Sequence, residues 1–199
     1  MNNGLFSLEE LHSLGITVMG RDVAISRKIS VYPGEEGIRI GNHVRIDDYC
    51  ILVGNITIGN HIHIGSHCGL HASGNGRIVL EDYSGMSSNV QIYACSDLYD
   101  GEKPITRPGI DKQHAGIIED TVVLSMYSQI GAGSVLLPGG NLGEGAVVGA
   151  MSLIKSNLEP WLVYAGIPCK VISERSKRCM NVYTYLKESK VKENNGKRF

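Results

Sequence analysis

The sequence is poor in aromatic residues, lacks any CxxC pair, has almost no net charge and contains no long apolar run. Its five cysteines are an odd number with no CxxC pair, which argues against a disulfide framework or a zinc ribbon, and we expect reduced thiols. A net charge of −1 over 199 residues argues against a broad nucleic-acid-binding face. No apolar stretch approaches about 18 residues, and the N-terminus lacks a signal-like pattern. We therefore expect no membrane segment and a soluble, cytoplasmic protein of one domain.

Aliphatic residues, in contrast, recur at every sixth position over most of the chain. The residues in register are Ile40, Ile46, Leu52, Ile58, Ile64 and Leu70, then Leu80, Met86 and Ile92, then Ile118, Leu124, Ile130, Leu136, Leu142, Val148 and Ile154. Neither a helix nor an alternating strand has a period of six. A fixed period indicates a repeat architecture, in which each unit buries its apolar residue against stacked neighbours.

Two further regularities describe the shape of the repeat. Small or modest side chains stand four positions after each aliphatic residue, which fits a narrow interior; they are Val44, Cys50, Ile56, Ile62, Cys68, Val122, Ser128, Ser134, Gly140, Ala146 and Ser152. The tetrapeptide Ile-Gly-Asn-His at 40–43 returns at 58–61, 18 residues later. Three hexads therefore form one triangular coil, and we expect His43 to lie one coil from His61 on the same corner.

Segments without the repeat lie at both ends of the chain. Residues 1–20 contain a capping box that begins at Ser7, followed by leucines at helical spacing, and are predicted to form a short N-terminal helix. Residues 21–172 are predicted to form the coiled domain, with the regular repeat ending after Ile154. Residues 173–199 are charged and helix-compatible, and are predicted to form a C-terminal helix and a tail.

The repeat is also interrupted internally. Residues 33–37 are predicted to insert a turn, and the register slips by four between Leu70 and Leu80. The polar segment 94–116 is predicted to be a loop ejected from the coil, and long loops in compact domains are usually functional.

These hexads, together with the segment AGIPCKVI at 165–172, resemble the hexapeptide-repeat acyltransferases. The segment is similar to the signature that follows the last coil in that family. The resemblance implies a left-handed parallel β-helix, a homotrimer with active sites between subunits, and acetyl-CoA as the acyl donor. It also implies a cofactor contact by Pro168 within the signature and a CoA phosphate near Lys170, since a cation suits that group. Backbone groups of Ala132 and Ala150 match positions that bind pantetheine, and Lys155 is a further cofactor candidate.

The segment Ile92–Asp97 of the loop is similar to Ile-Tyr-x-Ala-x-His of the galactoside and maltose acetyltransferases, in which the histidine is the general base. This chain has Asp97 at that position. A hydroxyl nucleophile needs a base with a pKa near neutrality, whereas an ordinary aspartate titrates near 3.9. An amine has a useful neutral fraction at pH 7 and needs mainly orientation and a late proton acceptor. The substitution favours N-acetylation of an amino sugar.

Other residues are candidates for roles near the acceptor. Either His71, beside the first slip, or His114, in the loop, is an alternative base for a hydroxyl acceptor. Ser87 and Asn89 are candidates for hydrogen bonds to the substrate, and Tyr93 for a stacking contact. The cluster His61, His63, His67 and His71 invites a zinc interpretation, but the coil spreads these four residues around its faces, and no metal is expected.

The sequence as a whole also resembles enzymes of bacterial O-antigen sugar assembly, some of which acetylate dTDP-4-amino-4,6-dideoxyglucose. Our first hypothesis is therefore an acetyl-CoA-dependent N-acetyltransferase acting on a nucleotide-linked amino sugar of this kind. The alternatives are an O-acetyltransferase of a sugar hydroxyl, and a β-helix scaffold without catalytic activity. Binding of acetyl-CoA distinguishes the scaffold from the two enzymes.

Overall fold

A computed structural model describes residues 4–181 and consists almost entirely of short β-strands. The strands, in chain order, are β1 (Ile16–Val18), β2 (Ala24–Ile25), β3 (Ser30–Ile40), β4 (Arg45–Ile46), β5 (Ile51–Ile58), β6 (His63–Ile64), β7 (Gly69–Leu80), β8 (Gly85–Met86), β9 (Gln91–Tyr93), β10 (Cys95–Asp97), β11 (Ile117–Glu119), β12 (Thr121–Leu124), β13 (Gln129–Ile130), β14 (Val135–Leu136), β15 (Val147–Val148), β16 (Leu153–Ile154), β17 (Leu162–Ala165) and β18 (Lys170–Glu174).

Parallel pairing stacks these strands into a coil with three faces, as the 18-residue period predicts. Face A contains Ile40, Ile58, Leu80, Leu124, Leu142 and Leu158 in register. Face B contains Ile25, Ile46, Ile64, Met86, Ile130, Val148 and Tyr164. Face C contains Val31, Leu52, Leu70, Ile92, Leu136 and Ile154. The chain visits the faces in the order A, B, C in each coil.

The core is the interior of this coil. The aliphatic residues of the hexads are almost completely buried, and so are the small side chains four positions later. Two details differ from the prediction. Ile118 is 37% exposed and lies on β11 outside the coil, so the third run begins at Leu124. The coil also continues past Ile154, because Leu158 pairs with Leu142 and Tyr164 with Val148.

A ladder of aromatic rings runs along the edge between faces A and B. His43 stacks on His61 with ring centroids 4.5 Å apart, which confirms the predicted spacing of one coil. The ladder continues through Tyr83 and Tyr127 to Trp161. All five residues have a positive φ, which places each at the same tight corner of successive coils.

The interruptions of the repeat all lie at the edge between faces C and A. The segment 33–37 does not form a separate turn, because β3 runs through it with a register shift against β5. A second shift, between Gly54 and Asn55 of β5, accommodates the extra residues 73–76 of β7. One coil later, residues 94–120 leave the coil at this edge. We call this segment the excursion; its base is the antiparallel pair of β10 and β11, and it contains a short 3-10 helix, Lys112–His114.

Additional elements cover the ends of the coil. The N-terminal helix α1 (Leu8–Ser13) begins with the predicted capping box, formed by Ser7 and Glu10. At the other end, β18 pairs antiparallel with β17, so residues 173 and 174 are strand and not the start of the predicted helix. Helical residues begin at Cys179, and most of the predicted C-terminal helix lies outside the described residues. Within the described residues, no helix is long and apolar enough to cross a membrane.

Candidate active site

Three of the predicted site residues, Asn89, Ala132 and Ala150, line the edge between faces B and C. Ser88 and Asn89 occupy this corner in one coil, Ala132 in the next and Ala150 in the one above. Hydrogen bonds connect the levels: Gly133 donates its N–H to the Ser88 carbonyl (3.1 Å), and Met151 donates to the Ala132 carbonyl (2.8 Å). Asn89, Ala132 and Ala150 are exposed. Residues that the sequence assigns to the acceptor and to CoA therefore form one continuous column.

Ser87, one residue before this column, lines a cavity on face B that we call the face B groove. The groove has a volume of about 380 Å³ and is lined by Asp47, His61, His63, Gly65, Tyr83, Ser84, Gly85, Met86, Ser87, Ser88 and Gln129. Ser87 donates its backbone N–H to the Ile130 carbonyl (2.9 Å), and this bond fixes its backbone in the coil. The groove thus reaches from the lower coils to the level of the column.

The signature segment closes the top of the same edge. Leu153 donates its N–H to the Gly166 carbonyl (3.0 Å) and accepts one from Cys169 (2.9 Å). Pro168 and Lys170 are exposed, and Lys170 pairs with Ala165 across β17 and β18. These contacts place Lys170 near the upper end of the edge that carries Ala132 and Ala150. Lys155 follows Ile154 and lies on face C, apart from the column.

Face C carries two of the predicted site residues, His71 and Tyr93. The two residues are in register on β7 and β9, and their rings stack with centroids 4.7 Å apart and an interplanar angle of 10°. The Nε2 atom of His71 lies 3.4 Å from the Gln91 side-chain oxygen, at the limit of a hydrogen bond. His71 is therefore packed between polar and aromatic neighbours on the coil surface.

Asp97 lies at the base of the excursion, in a second cavity of about 310 Å³. This cavity is lined by Ser73, Gly74, Cys95, Ser96, Asp97, Thr106, Lys112, Ile117 and Glu119. Thr106 donates its backbone N–H to the Asp97 Oδ1 atom at 3.0 Å. Hydrogen bonds from Thr106, and more weakly the charge of Arg107, lower the pKa of Asp97 below its ordinary value. His114 is exposed in the 3-10 helix and does not line this cavity.

Two features of the site escaped sequence reasoning. Thr106 holds Asp97 from nine residues away, and no local pattern marks it. The contact between Asp47 and His63, at 2.8 Å in the face B groove, joins residues 16 apart, close to one coil. The 18-residue period places both on face B, but their side-chain contact requires the structure. Among residues 4–181, no group of three or more His, Cys, Asp or Glu side chains is arranged to hold a metal ion.

The parallel coil, with a CoA signature at the top of one exposed edge, defines a CoA-dependent acyltransferase of the hexapeptide-repeat class. The dTDP-4-amino-4,6-dideoxy-D-glucose acyltransferase of Escherichia coli is 37% identical over 187 residues, which are 93% of this chain and 96% of the relative. The chain belongs to this family of left-handed β-helix acyltransferases. No protein-family model matches it.

Solved structures agree with this assignment. AntD, an N-acyltransferase from Bacillus cereus solved with dTDP and 3-hydroxybutyryl-CoA, superposes with a TM-score of 0.87 at 36% identity, covering 94% of this chain and 98% of AntD. Another AntD structure contains dTDP-4-amino-4,6-dideoxyglucose and CoA. A maltose O-acetyltransferase from Clostridium difficile 630 has a TM-score of 0.53 at 21% identity, over 85% of this chain and 75% of that protein, and shares the fold.

Proposed function

We propose that this protein transfers an acyl group from a CoA thioester to the 4-amino group of a dTDP-linked 4-amino-4,6-dideoxy sugar. The observation that carries the proposal is Asp97, held at the base of the excursion by Thr106 with a lowered pKa. Such a carboxylate is ionised at neutral pH, so it suits an ammonium group better than it suits deprotonation of a hydroxyl. The named substrates of the E. coli relative and the ligands of AntD support the same acceptor.

In the proposed reaction, Asp97 first binds the amino group of the sugar and orients it towards the thioester carbonyl. The ammonium group loses one proton to solvent, and the resulting neutral amine attacks the carbonyl carbon, so that a C–N bond forms. Asp97 accepts a proton from the nitrogen as the tetrahedral intermediate develops, and a backbone N–H near Ala132 or Ala150 stabilises its oxyanion. The C–S bond then breaks, and the proton passes to the departing thiolate. Holding both substrates in one groove supplies much of the rate.

Ser87 is proposed to hydrogen bond the acceptor beside this amine, with Asn89 and Tyr93 as further contacts. The AntD structures include variants at one serine and one aspartate that are ten residues apart. Ser87 and Asp97 are also ten residues apart, which supports their assignment to one site. Because they line different cavities within one chain, we propose that the site is completed between the subunits of a homotrimer.

The donor is proposed to lie along the edge between faces B and C, with its pantetheine at Ala132 and Ala150 and a phosphate near Lys170. Lys155, on the adjoining face C, is proposed as a more distant contact of the donor. Pro168 shapes the segment that covers it. Acetyl-CoA is the proposed acyl donor, and the 3-hydroxybutyryl-CoA in AntD indicates that longer acyl groups belong in the test. We further propose that the protein acts in the cytoplasm, where it prepares a sugar for O-antigen or another bacterial surface polysaccharide.

Mass spectrometry of the products tests this function. The purified protein would be incubated with acetyl-CoA or 3-hydroxybutyryl-CoA, and with dTDP- and GDP-linked 4-amino and 3-amino sugars beside plain galactosides. We expect one acyl group on the dTDP-linked 4-amino sugar alone. Acylated hydroxyl sugars with untouched amines would contradict the proposal and favour His71 or His114 as base. Failure to bind any acyl-CoA would favour the scaffold alternative.

A further inference from the structure

The outward-facing residues of face B include a glycine, Gly85, between two larger polar side chains. The residues that point outward in register are Ala24, Arg45, His63, Gly85, Gln129 and Val147. A Cβ atom at Gly85 would come within 2.7 Å of the Gln129 side-chain oxygen and 3.3 Å of the His63 carbonyl. The absence of this atom creates the depression of the face B groove, which has His63 at its lower side and Gln129 at its upper side.

One carboxylate holds two basic side chains at the lower end of this groove. The Arg45 Nε atom donates to Oδ1 of Asp47 (2.7 Å), and the His63 Nε2 atom lies 2.8 Å from Oδ2. Burial raises the pKa of Asp47, but the hydrogen bonds from His63 and Arg45 outweigh it, and the net pKa is lowered. Asp47 is therefore ionised, and each of its two carboxylate oxygens orients one basic side chain.

The groups that remain on Arg45 and His63 are available to a ligand. Their side chains are 68% and 58% exposed, whereas that of Asp47 is 24% exposed. Within residues 4–181, the two terminal nitrogens of Arg45 and the Nδ1 atom of His63 have no protein partner. The other charged pair close by, Lys28 and Asp48, is joined at 2.7 Å and balances its own charge. The surface thus presents oriented nitrogen atoms without a protein partner beside a polar groove.

We propose that Arg45 and His63, oriented by Asp47, bind the diphosphate of the nucleotide-linked sugar. This inference rests on the proposed function. A guanidinium binds phosphate oxygens through two parallel hydrogen bonds, and a protonated imidazole adds a donor from its second nitrogen. CoA also contains a diphosphate, but its predicted contacts lie in the upper coils, at Ala132, Ala150 and Lys170. His63 and Asp47 line the groove that ends at Ser87. Arg45 lies just below that groove, in register with His63 and bonded to Asp47, and this lower position assigns the donors to the acceptor.

Calorimetric titration of the full-length protein tests this assignment, with dTDP, dTMP and CoA as three separate ligands. Replacing both basic residues with glutamine (Arg45→Gln with His63→Gln) should weaken dTDP binding by at least about tenfold, since charge-assisted hydrogen bonds are lost. CoA binding should stay within about twofold. The preference for dTDP over dTMP should shrink, an effect that a general structural defect would not produce. Arg45→Lys, which keeps the charge, should recover part of the affinity.

Arg77→Gln is the matched control, because Arg77 is an exposed arginine paired with Glu36 at the edge between faces C and A. It should leave dTDP binding unchanged. Unaltered dTDP affinity in the double variant would overturn the assignment while leaving the acyltransferase function intact. An equal loss of dTDP, dTMP and CoA would also overturn it, since the two bases would then have a structural role. Wild-type protein that binds CoA but not dTDP would contradict the proposed acceptor as well.

Discussion

At the scale of single residues, Asp97 owes its position to a backbone donor. The Thr106 N–H fixes the carboxylate at 3.0 Å, and hydrogen bonds from Thr106 lower its pKa. A carboxylate of this kind remains ionised down to acid pH and is a poor acceptor for the proton of a hydroxyl. The environment of Asp97 therefore strengthens the argument for an amine acceptor that the sequence alone suggested.

Replacing Asp97 with asparagine tests its role directly. The variant keeps the shape of the side chain but loses the negative charge that, in the proposed mechanism, binds the ammonium and accepts the proton. We expect kcat/KM for the amino sugar to fall about a hundredfold, a typical contribution of acid–base catalysis. Asp111→Asn is the control, because Asp111 caps the 3-10 helix of the same excursion. Steady-state turnover of Asp97→Asn within twofold of wild type would contradict the mechanism.

A second prediction concerns stability and rests on two buried serines. The hydroxyls of Ser84 and Ser128 are buried and have no hydrogen-bond partner among residues 4–181. A buried unsatisfied polar group costs about 1–3 kcal/mol, so each Ser→Ala change should stabilise the protein by about 1 kcal/mol. Chemical denaturation measures the gain. Ser134→Ala is the matched control and should destabilise, because the Ser134 hydroxyl donates to the Gly149 carbonyl and accepts from the Ser152 N–H, both at 3.1 Å. A loss of stability in the Ser84 variant would contradict this account.

At the scale of elements, the edge between faces C and A depends on close stacking of β5 on β7. Gly54 has φ +89°, and a Cβ atom there would overlap the Ala72 carbonyl. Gly139 has nearly the same φ, +87°, but open space around it. In Gly139→Ala, backbone strain alone should lower the free energy of unfolding by about 1–2 kcal/mol. In Gly54→Ala, the steric overlap should lower it by at least about 2 kcal/mol more. Equal losses in thermal or chemical unfolding would show that the stacking is not close.

The six-residue period predicts which residues form the coil, but it does not predict the excursion. The burial of Leu124 and its neighbours in the coil follows from the six-residue spacing, because each face needs one inward aliphatic residue per coil. The same spacing gave a false hit at Ile118, which matches the register by chance and lies on the antiparallel base of the excursion. Pairing within the excursion could not be predicted, since β10 and β11 are joined by hydrogen bonds across 19 intervening residues without a period.

At the scale of the whole molecule, one chain separates two residues that the proposed mechanism requires. Ser87 lines the face B groove, whereas Asp97 lies in the cavity of the excursion at the edge between faces C and A. Sequence similarity predicted both residues from their local segments, but no local pattern states whether one subunit of the proposed trimer supplies both. That information depends on how the outer surfaces of the coils face one another in the proposed trimer.

A mixed assembly can decide whether the two residues come from different subunits. Ser87→Leu should block the groove and Asp97→Asn should remove the charge, so each variant alone is expected to be nearly inactive. In trimers formed from equal amounts of both, each site between subunits has about one chance in four of combining the intact Ser87 of one subunit with the intact Asp97 of the next. We therefore expect about a quarter of wild-type activity after co-expression, with trimer formation checked by light scattering. If both residues act from the same subunit, mixing restores nothing, because every site still contains one substitution.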